Sequence, residues 1–152
     1  MTVIYSNFRD IDTKYAHIIW ENIPDATIIE ITPEMIDSYE EIVNKAISEE
    51  DNTLVLFGHG TAHGLLFPDL NRGIYLVHDE NAKLIHAKNV IGLWCYASSF
   101  GIRHIELKGF YTSMYISNEQ EAAENSIFNI SQETITRSQM VFLSRINELL
   151  VN

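Results

Sequence analysis

Residues 54–66 read LVLFGHGTAHGLL, and this stretch decides the fold. Its first four residues are apolar at every position, which is typical of a central strand of a parallel sheet, buried on both faces. The strand runs directly into a glycine-rich loop that carries His59. Residues 90–101, VIGLWCYASSFG, repeat this arrangement, because a second apolar strand runs into Cys95. The two segments predict a sheet with a chemically capable residue at each of two strand ends.

Strands and helices alternate on both sides of these two segments. Apolar and β-branched runs predict further strands at residues 3–5, 26–31 and 110–116. Residues 65–77 predict a hairpin-like excursion, and helical spacing or capping signals predict helices at residues 13–23, 33–47, 80–86, 99–105, near 120 and at 131–150. This alternation predicts an α/β fold, as a single three-layer domain over residues 1–152. Its mainly parallel five-stranded sheet has a strand order near 2-1-3-4-5, counting only the parallel strands, with helices on both faces.

Composition narrows the class of protein. Hydrophobic residues make up 46% and charged residues 20% of the 152 residues, as in a globular domain. The net charge of −11 argues against nucleic-acid binding, which needs clustered Lys and Arg. The first residues have no signal-peptide pattern, and no apolar run approaches the ~20 residues of a membrane span. The single cysteine excludes an internal disulfide, which is typical of proteins in a reducing compartment. Together these features lead us to expect a cytoplasmic protein without membrane attachment.

The two strand ends favour nucleophilic chemistry. Ligands of open α/β sheets bind outside the carboxyl ends of the strands, so His59 and Cys95 are expected to open onto one cleft. A thiolate is a strong nucleophile, and a nearby imidazole can take its proton or protonate a leaving amine. The backbone N–H groups of Gly60 and Cys95 are candidate donors to an oxyanion. Glycines around His59, including Gly58, would let a substrate backbone approach closely.

Metal and cofactor chemistry find less support. His63 follows His59 at a helical ligand spacing, but the glycines around it disfavour a helix, and neither HExxH nor paired CxxC occurs. The loop GHGTAHG lacks the GxGxxG order and the Lys-Ser/Thr of a phosphate loop, so no metal or cofactor is predicted. A flavodoxin-like small-ligand binder is kept as a third hypothesis. The carboxylates of Asp69, Asp79 and Glu119 are candidates to line a pocket for a basic group, or are solvated loop residues.

An apolar strand ending in H-G-x-x-x-G, with a later apolar strand ending in cysteine, resembles the caspase-like cysteine peptidases. This superfamily includes caspases, legumains, gingipains, separases and the bacterial CHAT domains. The resemblance covers the span from the first to the fifth parallel strand, and LVLFGHGTAHGLL and VIGLWCYASSFG are its specific parts. It implies that His59 is the general acid/base, Cys95 the nucleophile and Gly60 an oxyanion donor.

The predicted function is therefore hydrolysis of a peptide or amide bond in a peptide or protein substrate. Tyr111, Thr112 and Ser113, on the fifth parallel strand, are candidate pocket walls or, equally, sheet-packing residues. Trp94 departs from the family pattern, where a small or acidic residue precedes the cysteine, so its indole is expected to fill or block the specificity pocket. Trp94 and the short chain motivate the alternative, a catalytically inactive caspase-like domain that serves as a scaffold or binds a partner.

Overall fold

A computed structural model describes every residue from Met1 to Asn152. The chain forms two compact units, of which the first comprises Met1–Phe8 and Asp25–Tyr115. The second comprises Arg9–Pro24 and Ile116–Asn152. The expectation that residues 1–152 form a single domain stays a prediction.

The first unit is an α/β fold on a five-stranded parallel sheet with the order β2-β1-β3-β7-β8. Its elements are β1 (Thr2–Ser6), β2 (Thr27–Ile31), α1 (Tyr39–Glu49), β3 (Thr53–Phe57), β4 (Gly60–Thr61), β5 (Gly64–Leu66), β6 (Tyr75–His78), β7 (Asn89–Leu93), α2 (Ala97–Arg103) and β8 (Gly109–Tyr111). Because β7 and β8 are the fourth and fifth parallel strands, this order confirms the predicted 2-1-3-4-5 arrangement.

Strand β3 lies at the centre of the sheet and is buried on both faces, as its uninterrupted apolar run predicts. Leu54 and Leu56 point to one face, where the core also receives Val43 and Ile47 from α1 and Phe100 from α2. The opposite face carries side chains that are equally buried, namely Val3, Tyr5, Val55, Phe57 and Leu93. The core therefore sits around the two strands whose ends carry His59 and Cys95.

The excursion after β3 is a small antiparallel sheet of β4, β5 and β6. The predicted hairpin is confirmed, and the structure adds the two-residue strand β4, which contains Gly60. Gly64 has a φ of +151°, and a Cβ there would overlap the carbonyl of Val77, so only glycine permits this pairing. The loop that carries His59 is thereby anchored on its C-terminal side.

The second unit contains the helices α3 (Glu119–Glu124) and α4 (Gln132–Val151) and a 3₁₀ helix at Ala16–Trp20. Ser131 caps α4 through its side chain, which accepts a hydrogen bond from the N–H of Thr134. No helix in the structure combines the length and the apolar character that a bilayer span requires.

Several predicted elements are shorter than expected. The helix predicted at residues 13–23 is wrong, because only the 3₁₀ helix forms and Asn22 turns the chain with a φ of +61°. The helix predicted at residues 33–47 begins with a 3₁₀ turn, Pro33–Met35, and α1 starts only at Tyr39. The segment at residues 80–86 forms one 3₁₀ turn, and the strand predicted at 110–116 ends at Tyr111.

Candidate active site

His59 and Cys95 follow two neighbouring parallel strands at equivalent positions. The last paired residues of β3 and β7 are Phe57 and Leu93, and each candidate residue lies two positions beyond its strand's member of this pair. The pairing extends one step further, since the N–H of Gly58 donates to the carbonyl of Leu93 at 3.3 Å. The predicted adjacency and common direction of the two strands are confirmed, and both residues lie at the same edge of the sheet.

Both residues lie just beyond the ends of their strands, His59 in the loop after β3 and Cys95 in the turn after β7. Leu56 and Trp94, one position before Phe57 and Cys95, belong to the core. His59 and Cys95 are each half-buried. Part of each side chain is therefore accessible at this edge of the sheet.

The ring of His59 is oriented by an aromatic neighbour. Phe8, just beyond the end of β1, meets the imidazole edge to face, with ring centroids 4.5 Å apart and planes at 83°. Because β1 is the strand next to β3, the chain beyond β1 naturally reaches the loop beyond β3. No sequence motif marks Phe8, and only its position after a neighbouring strand could have identified it.

Cys95 lies in the tight turn between β7 and α2, where its thiol donates a hydrogen bond to a backbone carbonyl. The acceptor is the carbonyl of Tyr115, 3.2 Å from Sγ. The ring of Tyr115 in turn packs edge to face on Phe57, with centroids 6.3 Å apart. In this resting arrangement the sulfur is a hydrogen-bonded thiol, and attack on a substrate requires it to leave this carbonyl.

Thr112, directly after β8, holds the backbone in front of Cys95. Its buried hydroxyl accepts a hydrogen bond from the N–H of Trp94 at 3.1 Å and donates to the carbonyl of the same residue at 2.7 Å. One side chain thus contacts both backbone groups of Trp94, whose carbonyl also accepts from the N–H of Ala97 at 3.2 Å. Thr112 was predicted as a pocket wall or a sheet-packing residue, but no sequence pattern reveals its contact with the end of β7.

The residue after Cys95 has an unusual backbone. Tyr96 lies in the left-handed region, with φ 66° and ψ 23°, and helix α2 begins at the next residue. A bulky residue in this region is uncommon and costs about 1–2 kcal/mol relative to an ordinary conformation. The N–H of Tyr96 donates to the carbonyl of Ser113 at 2.5 Å. Ser113, a predicted pocket wall, thus contributes its backbone to the turn.

Trp94 is completely buried and packs against the loop of His59. Its indole N–H donates to the carbonyl of Thr61 at 2.9 Å, and a Cβ at Gly60 would overlap the indole ring. The expected contact of Trp94 with substrate has no counterpart on the surface, since none of the side chain is exposed. The indole supports this loop from within the core.

The two glycines beside His59 have different surroundings. A Cβ at Gly58 would lie 2.7 Å from Cβ of Ser6, so close packing of β1 accounts for this glycine. Gly60 pairs with Leu65, and the carbonyl of His59 accepts from the N–H of Leu66 at 2.9 Å. In that register Gly60 is a non-hydrogen-bonded position, so its N–H points away from β5. The role of this N–H as an oxyanion donor stays a prediction.

Tyr111 is half-buried and fills the space left by two glycines. A Cβ at Gly92 or at Gly101 would lie 2.7 or 2.6 Å from its ring. Its hydroxyl donates to the carbonyl of Leu107 at 2.8 Å. Burial, with a smaller contribution from the charge of Glu106, raises the pKa of Tyr111 to about 12. The phenol is therefore a neutral packing group at physiological pH.

The candidate loop carboxylates of the first unit are paired locally. Asp79 contacts His104 Nε2 at 2.7 Å and Arg103 Nη2 at 3.1 Å, and Asp69 pairs with Arg72 at 3.1 Å. The hydrogen bond from His104 lowers the pKa of Asp79, and the smaller contribution of Arg103 acts in the same direction. Arg103 also donates to the carbonyl of Ala62 at 2.6 Å, which ties α2 to the loop after β4.

Comparisons with family models, with curated proteins and with solved structures find no match to this chain.

Proposed function

We propose that the chain is a cysteine hydrolase of the caspase-like type, which cleaves a peptide or amide bond with His59 and Cys95. One observation supports the proposal: both residues lie two positions beyond a paired residue of adjacent parallel strands. Adjacent strands are about 4.8 Å apart, so a side-chain movement could bring the imidazole to the thiol for proton transfer.

In the first half of the reaction, His59 takes the proton of Cys95 and the thiolate attacks the carbonyl carbon of the substrate. The resulting tetrahedral intermediate carries a negative oxygen, which the N–H groups of Gly60 and Cys95 stabilise. When the C–N bond breaks, the protonated His59 donates its proton to the leaving amine. An acyl group then remains on Cys95 as a thioester.

In the second half, His59 removes a proton from a water molecule, which attacks the thioester carbonyl. The C–S bond breaks, the carboxylic acid leaves, and the proton returns to the sulfur. The cycle needs no cofactor, because every proton moves between the imidazole, the thiol, the substrate and water.

The reactivity of the thiol tests this proposal directly. Because Cys95 is the only cysteine, the mass of the intact protein reports alkylation of this residue alone. A dyad predicts that iodoacetamide reacts with Cys95 faster than with glutathione at mildly acidic pH, since the imidazole favours the thiolate. It also predicts that p-nitrophenyl acetate leaves one acetyl group on Cys95.

His59→Gln should reduce both reactions to the level of glutathione, with His59→Ala as a second variant should the first fail to fold. His63→Ala is the matched control, because His63 is exposed in the same loop. Thermal melting establishes that each variant is folded. The dyad does not exist if Cys95 is alkylated no faster than glutathione and neither substitution of His59 changes its rate.

One observation favours the alternative, a catalytically inactive caspase-like domain that binds a partner. The thiol of Cys95 rests on the carbonyl of Tyr115, and a hydrogen bond donated by a thiol stabilises its neutral form. This alternative predicts that alkylation follows the ordinary thiol pH dependence and that no acetylated species accumulates. The labelling experiment therefore separates the two functions.

A further inference from the structure

We infer that the free edge of β8 binds an extended peptide segment that carries apolar side chains and a carboxylate, and that the peptide adds a strand to the sheet. Strand β8 (Gly109–Tyr111) is the last strand of the parallel sheet on this side. The inference concerns a surface separate from His59 and Cys95, so it does not depend on the proposed hydrolase.

The backbone of β8 presents a regular set of hydrogen-bonding groups at this edge. The carbonyl of Lys108 accepts from Val90, and the N–H of Thr112 donates to Gly92, at 2.9 and 3.0 Å. Backbone groups alternate in direction along a strand, so the N–H and C=O of Phe110 also point toward β7. The N–H and C=O groups of Gly109 and Tyr111 consequently face outward, and a strand of another chain can pair with them.

An apolar groove of about 480 Å³ runs beside this edge, on the face of α2. Its lining residues are Ser98, Gly101, Ile102, Ile105, Leu107, Lys108, Gly109 and Tyr111. Two of them are unusually open for their type, since Ile102 is 79% and Ile105 is 85% exposed. A partner that covers these two side chains would remove apolar surface from water, which favours binding.

The other face of the same edge is also apolar. Phe110 alternates with Tyr111 along β8 and is 47% exposed. The side chains of an added strand alternate between the two faces in the same way. One set would contact Ile102 and Ile105 in the groove and the other set would contact Phe110, which fits an extended peptide better than a helix.

Charge defines the chemistry of the peptide. Lys108 is the only charged residue among those lining the groove, so a carboxylate on the bound segment is complementary to it. Glu106, two residues earlier, lies with its carboxylate 3.5 Å from Nδ1 of His104. A second copy of the chain fits less well. If Gly109 paired with Tyr111 of a copy in antiparallel orientation, Lys108 would lie opposite Thr112, which offers no carboxylate.

Two fluorescein-labelled peptides, VTVTE and VTVTK, test the inference by fluorescence anisotropy. Each places two valines and the charged residue on one face of a strand. The wild type should bind VTVTE about threefold or more tightly than VTVTK, and Lys108→Glu should reverse this preference, as expected for one exposed ion pair. Ile102→Asp should weaken binding of VTVTE about tenfold, since it removes buried aliphatic surface.

Two controls separate strand addition from unspecific adhesion. Leu149→Asp changes a similarly exposed side chain on α4 and should leave the affinity unchanged. VTVTE with N-methyl groups on alternate amides should not bind, because it lacks the donors for β8. The inference is overturned if neither peptide binds at millimolar concentration or if Ile102→Asp has no effect. It is also overturned if sedimentation equilibrium shows a dimer that Ile102→Asp dissociates, because the occupant is then a second copy.

Discussion

The indole N–H of Trp94 donates to the carbonyl of Thr61 at 2.9 Å, and this bond joins the two segments that carry the candidate site. Trp94 immediately precedes Cys95, and Thr61 lies two residues after His59. The loop and the turn are thereby held together from within the core. Their relative position depends on this packing as well as on the sheet.

Gly60→Ala should destabilise the protein by about 2 kcal/mol, because the new Cβ overlaps the indole of Trp94. In a Trp94→Leu background the same substitution should cost less, since the smaller side chain leaves room. A double-mutant cycle of urea unfolding measures this coupling. Equal costs in both backgrounds would mean that the two residues do not constrain each other.

Thr112→Val should lower the unfolding free energy by about 2 kcal/mol, because the buried N–H of Trp94 loses its acceptor. The C=O of Trp94 loses one of two donors and keeps the N–H of Ala97. Thr112→Ser keeps the hydroxyl and should restore most of the stability, at the expense of one methyl group. The same series should slow alkylation of Cys95 only where the hydroxyl is lost. A serine variant as unstable as the valine variant would attribute the effect to the methyl group.

Tyr96→Gly should be about 1 kcal/mol more stable than Tyr96→Ala, because only glycine adopts the left-handed conformation without strain. Comparing these two variants removes the contribution of the aromatic ring. The control is Ser99, within α2, where Ser99→Ala should be more stable than Ser99→Gly because alanine is the better helix former. Chemical denaturation gives the order at each site, and the same order at both would rule out backbone strain at Tyr96.

Tyr111 should make the folded state sensitive to alkaline pH. The pKa of this phenol is about 12 in the folded protein and 10 ordinarily, so the unfolded state loses the proton first. Stability from this group is complete below pH 10 and declines as the pH rises toward 12. Urea unfolding on either side of pH 10 should show a smaller decline in Tyr111→Phe. That variant should also lose about 1 kcal/mol at neutral pH, with the hydrogen bond to Leu107.

Glu50 should contribute in the acidic range. Burial alone would raise the pKa of Glu50, but hydrogen bonds from Thr2 and from the N–H groups of Asn52 and Thr53 outweigh it and lower the pKa below 4.5. The contribution is therefore present above pH 4.5 and is lost as the pH falls through the folded pKa.

Glu50→Gln should reduce the unfolding free energy by about 2 kcal/mol at neutral pH and by much less in strong acid. Thermal melting over this range measures the difference. Glu49→Gln, at the exposed neighbouring residue of α1, should change the unfolding free energy at neutral pH by less than about 0.5 kcal/mol. A constant difference between wild type and Glu50→Gln at all pH values would exclude the carboxylate as its cause.

The sheet could be predicted because its central strands are apolar throughout. Residues 54–57 and 90–93 have no competing helical pattern, and their spacing leaves room for one excursion and one crossover. The helix predicted at residues 13–23 is wrong because apolar residues at helical spacing also suit a 3₁₀ helix. Nothing in the pattern reveals that Asn22 adopts a positive φ.

The candidate site divides in the same way. His59 and Cys95 could be found because a residue at a strand end is marked by the strand itself. Phe8 contacts His59, Tyr115 contacts Cys95, and Thr112 holds the backbone of Trp94. Such contacts depend on register and on loop path, which local patterns do not encode. The indole of Trp94, which we expected to fill or block the specificity pocket, lies completely buried in the core.

The acceptor that holds the sulfur of Cys95 belongs to the main chain of Tyr115, so replacing the side chain there does not remove it. Mutation can tune the availability of the sulfur only by redirecting the path of the peptide that follows β8. Any event that displaces this short stretch, such as a proteolytic cut or a bound ligand, would break this hydrogen bond and free the thiol to react.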